Sequence, residues 1–441
     1  MLKYFIMTFG CQMNKHDSEI IETQLIENNY QRVEKPEKAE IIILNTCAVR
    51  EHSSQKAISI MGSFLKIKKR QNNLFPICIL AGCVAQAEKS ELLKSLPELD
   101  IIIGPQDIYN FSQILNEFLQ TKNLLIHCSE DFYYPYEKYY LKRKYQSKFQ
   151  AFISIMNGCN NFCSYCIVPY TRGREHSRKS EDILNEINYL LEKGYKEITL
   201  LGQNVNSYGK DLENEISFSD LLNRIDKFNF DFWLRFITSH PKDISIDLIN
   251  SYSSFKRVVN HLHLPLQSGS DKILKLMNRK YTRENYKEII YKLREIKPDI
   301  NITTDLIVGF PDENEDDFRK TIELVNEIKF DFAFVFKYSD RKGTASVSYK
   351  NKVPQNIIEE RHNILLNEIL KLSYESNKKM LGKIVKVLAE KVSPKDKNYL
   401  SGRTSENKVV IFKGAENLVG KFCRVKIREA KSYTLWGDLV E

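Results

Sequence analysis

The 441 residues are 42% hydrophobic and 28% charged, with a formal net charge of +9, an ordinary balance for a folded protein that faces water. That length exceeds one ordinary core and predicts two or three domains, while no apolar run approaches the ~20 residues that a membrane-spanning helix requires. Nine cysteines are an odd number in a chain whose first residues carry neither a long basic leader nor a small-residue cleavage site. A disulfide framework is therefore not expected, and the thiols are left for metal binding, catalysis or burial.

Residues 1–120 repeat a strand-then-helix pattern, with strands predicted at Tyr4–Thr8, Ile41–Leu44, Ile77–Leu80 and Ile101–Ile103. Such alternation predicts a parallel sheet whose functional loops lie at the carboxyl ends of the strands. Cys11, Cys47 in "NTCAVRE" and Cys83 in "AGCVAQ" each fall just past one of these strands. Any single cysteine reads as a small buried side chain, but three at one sheet edge predict a shared metal site. Cys78, Cys128 and Cys423 have no partner pattern and read as buried or incidental. Residues 121–144 break the rhythm with tyrosine and base in "EDFYYPYEKYYLKRK". They read as a linker whose aromatics pack between domains, with Lys142, Arg143 and Lys144 keeping contact with nucleotides open.

Alternation resumes over residues 145–375, with strands predicted at Phe152–Met156, Glu197–Leu201, Trp233–Thr238, His261–Leu264, Ile302–Ile307 and Phe332–Phe336. Six units are too few for a closed eight-stranded barrel and suit an open partial barrel or a doubly wound sheet, with the site at the strands' carboxyl ends. The first crossover helix is marked by Ser180 as N-cap, Glu181 and Asp182 in the first turn, an apolar face of Ile183, Leu184, Ile187, Leu190 and Leu191, and Gly194 as its end. A further helix is expected from Pro354 to about Lys379. Residues 376–441 turn to short strands, and from residue 382 onward hold 13 Lys and Arg against 7 Asp and Glu. They predict a small all-β barrel with a basic face suited to RNA.

Just past the first strand of the central region stands "NGCNNFCSYC", with Cys159, Cys163 and Cys166 and no fourth thiol. Structural zinc closes its tetrahedron with four ligands. His176 is the nearest candidate, but a lone histidine ten residues on does not match paired zinc spacing. A cubane iron–sulfur cluster held by three cysteines instead keeps one iron open to an outside ligand.

Cys-x3-Cys-x-Tyr165-Cys resembles the radical S-adenosylmethionine superfamily, in which the open iron is chelated by S-adenosylmethionine and reduction yields a 5′-deoxyadenosyl radical. "TFGCQMN", "NTCAVREHSSQKA", "PYTRGREHSR", "LLGQNVNSYG", "TSHPKD", "LPLQSGSDKILKLMNRKYTRENY", "TDLIVGFPDE" and "VFKYSDRKGTAS" are similar to the methylthiotransferases, and among these to the tRNA enzymes that make 2-methylthio-N6-isopentenyladenosine. The resemblance implies an α/β protein with four parts: an N-terminal parallel methylthiotransferase domain (1–120), a linker (121–144), a partial (β/α)6 radical S-adenosylmethionine barrel (145–375) and a C-terminal TRAM barrel (376–441).

It further implies two [4Fe–4S] clusters, an auxiliary one on Cys11, Cys47 and Cys83 and a radical-generating one on Cys159, Cys163 and Cys166. S-adenosylmethionine would serve as methyl donor and radical source, and the substrate would be the adenine beside the anticodon, at position 37 of the tRNA anticodon stem-loop. Sulfur-donor and reductant proteins are the implied partners of a cytoplasmic monomer with no membrane association.

Gln203 and Asn204 occupy the place where many superfamily members carry an acidic motif. With Tyr165, Gln267, Ser268 and Asp305 they are expected at the cofactor, a structural cap or turn being the alternative for each. Arg172, Arg174 and Arg178 are expected to grip RNA phosphates or the cofactor, against a charge-paired surface helix start. Two rival functions stay open: the same chemistry on threonylcarbamoyladenosine in tRNA or on an aspartate of a ribosomal protein, and a zinc-binding, non-catalytic RNA-binding protein.

Overall fold

The computed structural model describes residues 2–48, 51–70, 75–130, 134–135 and 142–440; much of the tyrosine-rich linker falls outside these residues. The N-terminal domain is a six-stranded parallel sheet in the order β2-β1-β3-β4-β5-β6. Its strands are β1 (Lys3–Thr8), β2 (Gln31–Arg32), β3 (Ile41–Thr46), β4 (Ile77–Gly82), β5 (Ile101–Ile103) and β6 (Leu125–His127). The sixth strand lies within the segment read as a linker. Its three residues are too few, next to a tyrosine-rich run, to show a strand period.

Isoleucine fills this sheet because both faces are covered. Ile41, Ile43, Ile77 and Ile79 pack with α1 (Gln12–Glu27) and α4 (Phe111–Thr121). The alternate residues Ile42, Leu44, Cys78 and Leu80 pack with α2 (Glu51–Arg70) and α3 (Cys83–Glu88) on the other face. A strand buried on both sides has no polar phase, and each side chain so buried contributes about 1.5–3 kcal/mol. Cys78 is one of these packed side chains and Cys423 is buried in the C-terminal barrel, as read from sequence, while Cys128 is half-buried.

The central domain begins with β7 (Gln150–Ser154), β8 (Met156–Asn157), the short α5 (Val168–Arg172) and β9 (His176–Ser177). Its parallel strands run β7, β10 (Glu197–Leu201), β11 (Trp233–Phe236), then β12 (His261–His263), β13 (Asn301–Val308) and β14 (Phe332–Lys337). A bridge between Leu234 and Val258 joins the two halves, so six strands follow one another in sequence order as an open barrel. Around it lie α6 (Ser180–Glu192), α7 (Phe218–Asp226), α8 (Ile246–Ser251), α9 (Asp271–Leu276), α10 (Arg283–Ile296) and α11 (Glu315–Ile328). Helix starts are marked by side-chain caps, for example Thr282 accepting from Asn285 N at 3.2 Å and Asn314 from Asp317 N at 2.9 Å. Ser180, expected as N-cap of α6, is its first helical residue. The cap is supplied from a distance, Ser180 N donating to Glu215 Oε2 at 3.0 Å, which local spacing does not reveal.

Helix α12 (Gln355–Lys378) leads to a closed five-stranded barrel of β15 (Ile384–Val392), β16 (Tyr399–Thr404), β17 (Val409–Lys413), β18 (Phe422–Ala430) and β19 (Leu435–Val440). This barrel sits against the amino-terminal rim of the central strands. Leu388 and Phe422 pack on Trp233, Val259 and Phe149, Gln150 Nε2 donates to Glu390 Oε1 at 3.2 Å, and Arg235 Nη2 to Thr404 O at 2.8 Å. The carboxyl ends of the central strands, where the cysteine loop lies, are thus at the opposite end.

Candidate cluster and cofactor sites

The loop carrying Cys159, Cys163 and Cys166 starts at Gly158, whose φ of +79° and surroundings admit no side chain: a Cβ there would lie 1.8 Å from Arg174 O. Its ends are tied by Cys159 N to Gly173 O at 3.0 Å and Cys166 N to Cys163 O at 2.9 Å. Ser164 anchors the middle to the end of α9, donating from N to Met277 O at 3.0 Å and from Oγ to Leu276 O at 2.8 Å. Asn278 Nδ2 donates to Phe162 O at 2.9 Å. Burial pushes the thiols of Cys159 and Cys166 up to about 12. Such thiols become thiolates only against a strong cationic partner, and a coordinating metal supplies one.

Cys11, Cys47 and Cys83 each lie at the carboxyl end of a strand of the N-terminal sheet. Cys11 is the N-cap of α1, Cys47 follows β3, and Cys83 is the first residue of α3. Gly10 permits this approach, since a Cβ there would stand 2.4 Å from Cys47 Cβ. Asn14 Oδ1 accepts from both the backbone N and the Sγ of Cys11 at 3.3 Å. A hydrogen bond with Cys47 holds the Cys11 thiol down to about 6, whereas burial pushes Cys83 up. Both Cys11 and Cys83 stand at helix N-termini, where partial positive charge favours a thiolate. Among the described residues no group of three or more His, Cys, Asp or Glu side chains is arranged to hold a single metal ion. Within each trio the thiols nonetheless lie close enough to act on one another. Three thiolates on three different irons of a cubane stand wider apart than ligands of one ion, so both trios fit a cluster better than zinc.

Of the residues expected at the cofactor, Gln203 serves the loop: its Oε1 accepts Gly158 N at 2.5 Å. Asn204 Nδ2 donates to Asp243 Oδ2 at 2.8 Å. Gln267, at φ +71°, is pinned to β13 through Asp305 O and Ile307 N. Ser268 is turned to structure, its Oγ accepting Ser270 N at 3.2 Å and lying 3.5 Å from Thr321 Oγ1. Asp305 is half-buried, its Oδ2 3.4 Å from His263 Nε2. Tyr165 packs edge-on against Phe310 at 6.3 Å.

Two of the three arginines expected on RNA are interior. Arg172 pairs with Asp17 at 2.6 Å, and Arg178 with Glu186 at 2.7 Å, all four side chains being buried. Arg174 is exposed, its guanidinium 4.3 Å above the Phe162 ring. Arg143, read as part of a basic linker, is likewise buried between Glu19 and Glu186. Partners 124 and 155 residues away are what sequence spacing does not show.

Apart from Asn204, the buried polar groups near the loop were not singled out in the sequence. Arg279 in "MNRKYT" is buried with Nη1 3.4 Å from Cys163 Sγ, Nε 3.0 Å from Tyr281 Oη and Nη2 3.0 Å from Pro265 O. In the loops after β10 and β11, Asn204 Oδ1, both amide atoms of Asn206, Ser239 Oγ and His240 Nε2 are buried without a hydrogen-bond partner. Each such group costs about 1–3 kcal/mol. Five together, at the strand ends beside the cysteine loop, suit a polar ligand such as S-adenosylmethionine. Only the motifs "GQNVNS" and "TSHPKD" signalled them.

A six-stranded open barrel carrying a three-cysteine loop at its strand ends defines a radical S-adenosylmethionine enzyme, and residues 153–325 match the radical SAM superfamily model. Residues 3–104 match the uncharacterized protein family UPF0004, and residues 378–440 the TRAM domain. The fold is shared with a radical S-adenosylmethionine methyltransferase, TsrM, from Kitasatospora setae (TM-score 0.54, 10% identity, 76% of this chain and 73% of that one). The tRNA-2-methylthio-N(6)-dimethylallyladenosine synthase of Thermoanaerobacter sp. (strain X514) is 47% identical over 100% of this chain and 93% of its own length. That of Clostridium tetani (strain Massachusetts / E88) is 45% identical over 99% and 96%. The chain belongs to this tRNA-2-methylthio-N(6)-dimethylallyladenosine synthase family. With the radical SAM domain come S-adenosylmethionine and a [4Fe–4S] cluster as its cofactors.

Proposed function

We propose that this chain attaches a methylthio group to C2 of N6-(dimethylallyl)adenosine at position 37 of tRNA, using two [4Fe–4S] clusters. The observation that carries it is the gathering of Cys11, Cys47 and Cys83 at one sheet edge, in a chain whose next domain presents Cys159, Cys163 and Cys166 at its own strand ends. Bound at Cys159, Cys163 and Cys166, a cluster with S-adenosylmethionine would supply one-electron chemistry able to activate an unreactive C–H bond.

The chain's own residues do the holding. Gly158, Ser164 and Gln203 fix the loop. Arg279 places a guanidinium 3.4 Å from Cys163 Sγ. Asn204, Asn206, Ser239 and His240 offer donors and acceptors to a polar cofactor. Burial, then Arg279 and Lys242, hold His240 down to about 2. The ring is therefore neutral; its Nδ1 accepts Lys242 N at 3.3 Å, which leaves Nε2–H as a donor. Arg174, exposed beside the loop, and the basic face of the TRAM barrel suit RNA phosphates.

The enzyme so described works in the cytoplasm as a monomer, with sulfur-donor and reductant proteins as partners; no helix among the described residues is long and apolar enough to cross a membrane. Nucleoside analysis of tRNA from a deletion strain tests the substrate. The 2-methylthio group should vanish from the dimethylallylated adenosine and return with the wild-type chain but not with Cys159→Ala. Its persistence in the deletion strain, or its loss from threonylcarbamoyladenosine instead, would overturn the assignment. Iron and acid-labile sulfide after anaerobic purification test the clusters, with about eight irons per chain expected and a colourless zinc protein refuting them.

A further inference from the structure

Arg172 ends α5, the helix that leaves the loop of Cys159, Cys163 and Cys166. Its side chain turns away from the barrel into the N-terminal domain. Nη2 lies 2.6 Å from Asp17 Oδ2, and Nη1 is 3.4 Å from Asp17 Oδ1 and 3.5 Å from Asn157 Oδ1. Asp17 belongs to α1, the helix capped by Cys11. Helix α5 packs on α3, which opens with Cys83, so the guanidinium stands close enough for its charge to act on the Cys83 thiol. The backbone carbonyl of Arg172 accepts Tyr134 Oη at 3.1 Å, so the residue is held from both ends. His16, buried on the same helix, has Nδ1 3.7 Å from Asp17 Oδ1. One residue of the radical domain thus meets both helices that present two of the three auxiliary thiols, α1 through its side chain and α3 through the packing of its own helix.

A buried guanidinium persists only against compensating charge. Asp17 supplies one unit. Both Cys11 and Cys83 lie within reach of the positive charge of Arg172. A cluster on these thiolates is anionic and gains a further negative charge on reduction, so a cation fixed beside it favours the reduced form and an anion opposes it.

Resting on the proposal that Cys11, Cys47 and Cys83 hold a cluster, we infer that Arg172 is a positioning residue for that cluster. Its guanidinium spaces α1 and α3 and raises the cluster's reduction potential, and Asp17 sets the limit of that effect by pulling the other way. The radical domain thereby tunes the sulfur-carrying site of its neighbour.

The test uses the full-length chain carrying Cys159→Ala, Cys163→Ala and Cys166→Ala, reconstituted without oxygen so that only the auxiliary site is loaded. Iron is counted, and the midpoint potential is read by electron paramagnetic resonance during dithionite titration. No iron in this background would sink the auxiliary cluster itself. With iron retained, Arg172→Gln should lower the potential and Asp17→Asn should raise it. Unchanged potentials, or shifts of the same sign in both variants, would overturn the role of Arg172, because a merely structural residue gives no opposed pair. If Arg172→Gln does not fold, Arg172→Lys should keep the potential near that of the parent while Asp17→Asn still raises it; any other pattern refutes the inference.

Discussion

Gly158→Ala is the sharpest perturbation of the cluster loop. At φ +79° an L-residue costs about 1–2 kcal/mol relative to glycine. The new Cβ would also stand 1.8 Å from Arg174 O, 2.4 Å from Arg174 C and 2.7 Å from Gly173 O. These are backbone atoms and cannot rotate away, so the chain itself must shift, at about 1–3 kcal/mol more. The shift strikes the ties that shape the loop, Cys159 N to Gly173 O at 3.0 Å and Gly158 N to Gln203 Oε1 at 2.5 Å. A local penalty of about 2–5 kcal/mol raises the population of the opened loop by roughly 30-fold or more, at about 1.4 kcal/mol per tenfold. Anaerobic reconstitution followed by iron analysis should return about four irons per chain instead of about eight, with S-adenosylmethionine cleavage lost and the N-terminal cluster intact. A variant with the full iron complement and unchanged cleavage would refute this account of why the position is glycine.

Glu186 is fully buried and receives Arg178 Nη1 at 2.7 Å, Arg143 Nη1 at 3.4 Å and Tyr145 Oη at 2.7 Å. Glu186→Gln should therefore cost about 3–5 kcal/mol, measured by urea unfolding. Although burial alone would push this carboxyl up, Arg178 and Arg143 together hold it below its usual range. Its stabilisation is present above the unfolded carboxylate pKa and fades as pH falls through the lower folded value, so wild type should lose its advantage over Glu186→Gln only in strong acid. Cys159→Ser should abolish cofactor cleavage while leaving about four irons, and Cys83→Ser should do the reverse; joint loss of both clusters from either variant would contradict two independent sites. Lys421→Glu with Arg424→Glu, both exposed on the TRAM barrel, should weaken tRNA binding and flatten its dependence on log salt by about 0.9 per phosphate contact removed. An unaltered slope in fluorescence anisotropy would place the RNA elsewhere.

Strand cores were legible because isoleucine and leucine runs report burial on both faces. Each predicted strand overlaps one observed, and Glu197–Leu201 and Ile101–Ile103 coincide with it. The grouping of Cys11, Cys47 and Cys83 was legible for a topological reason, since parallel strands deliver their following loops to one edge. What pairs across domains was not. Arg172 and Arg143 read as surface cations because their charge is local, while Asp17 and Glu19, which bury them, stand on α1 of the N-terminal domain; Arg178 read the same way although its partner Glu186 stands only eight residues on. Arg279 and the unpartnered atoms of Asn206, Ser239 and His240 escaped for the same reason: their setting exists only once separate strand ends converge.

The TRAM barrel rests on the starts of Trp233–Phe236 and its neighbours, and the cysteine loop opens from their ends. The longest of these strands, Asn301–Val308, has eight residues, about 26 Å at 3.3 Å per residue. A nucleic acid held at both poles would therefore have to reach at least this far. The length of the central strands thus fixes the separation that any substrate touching both the barrel and the loop has to bridge.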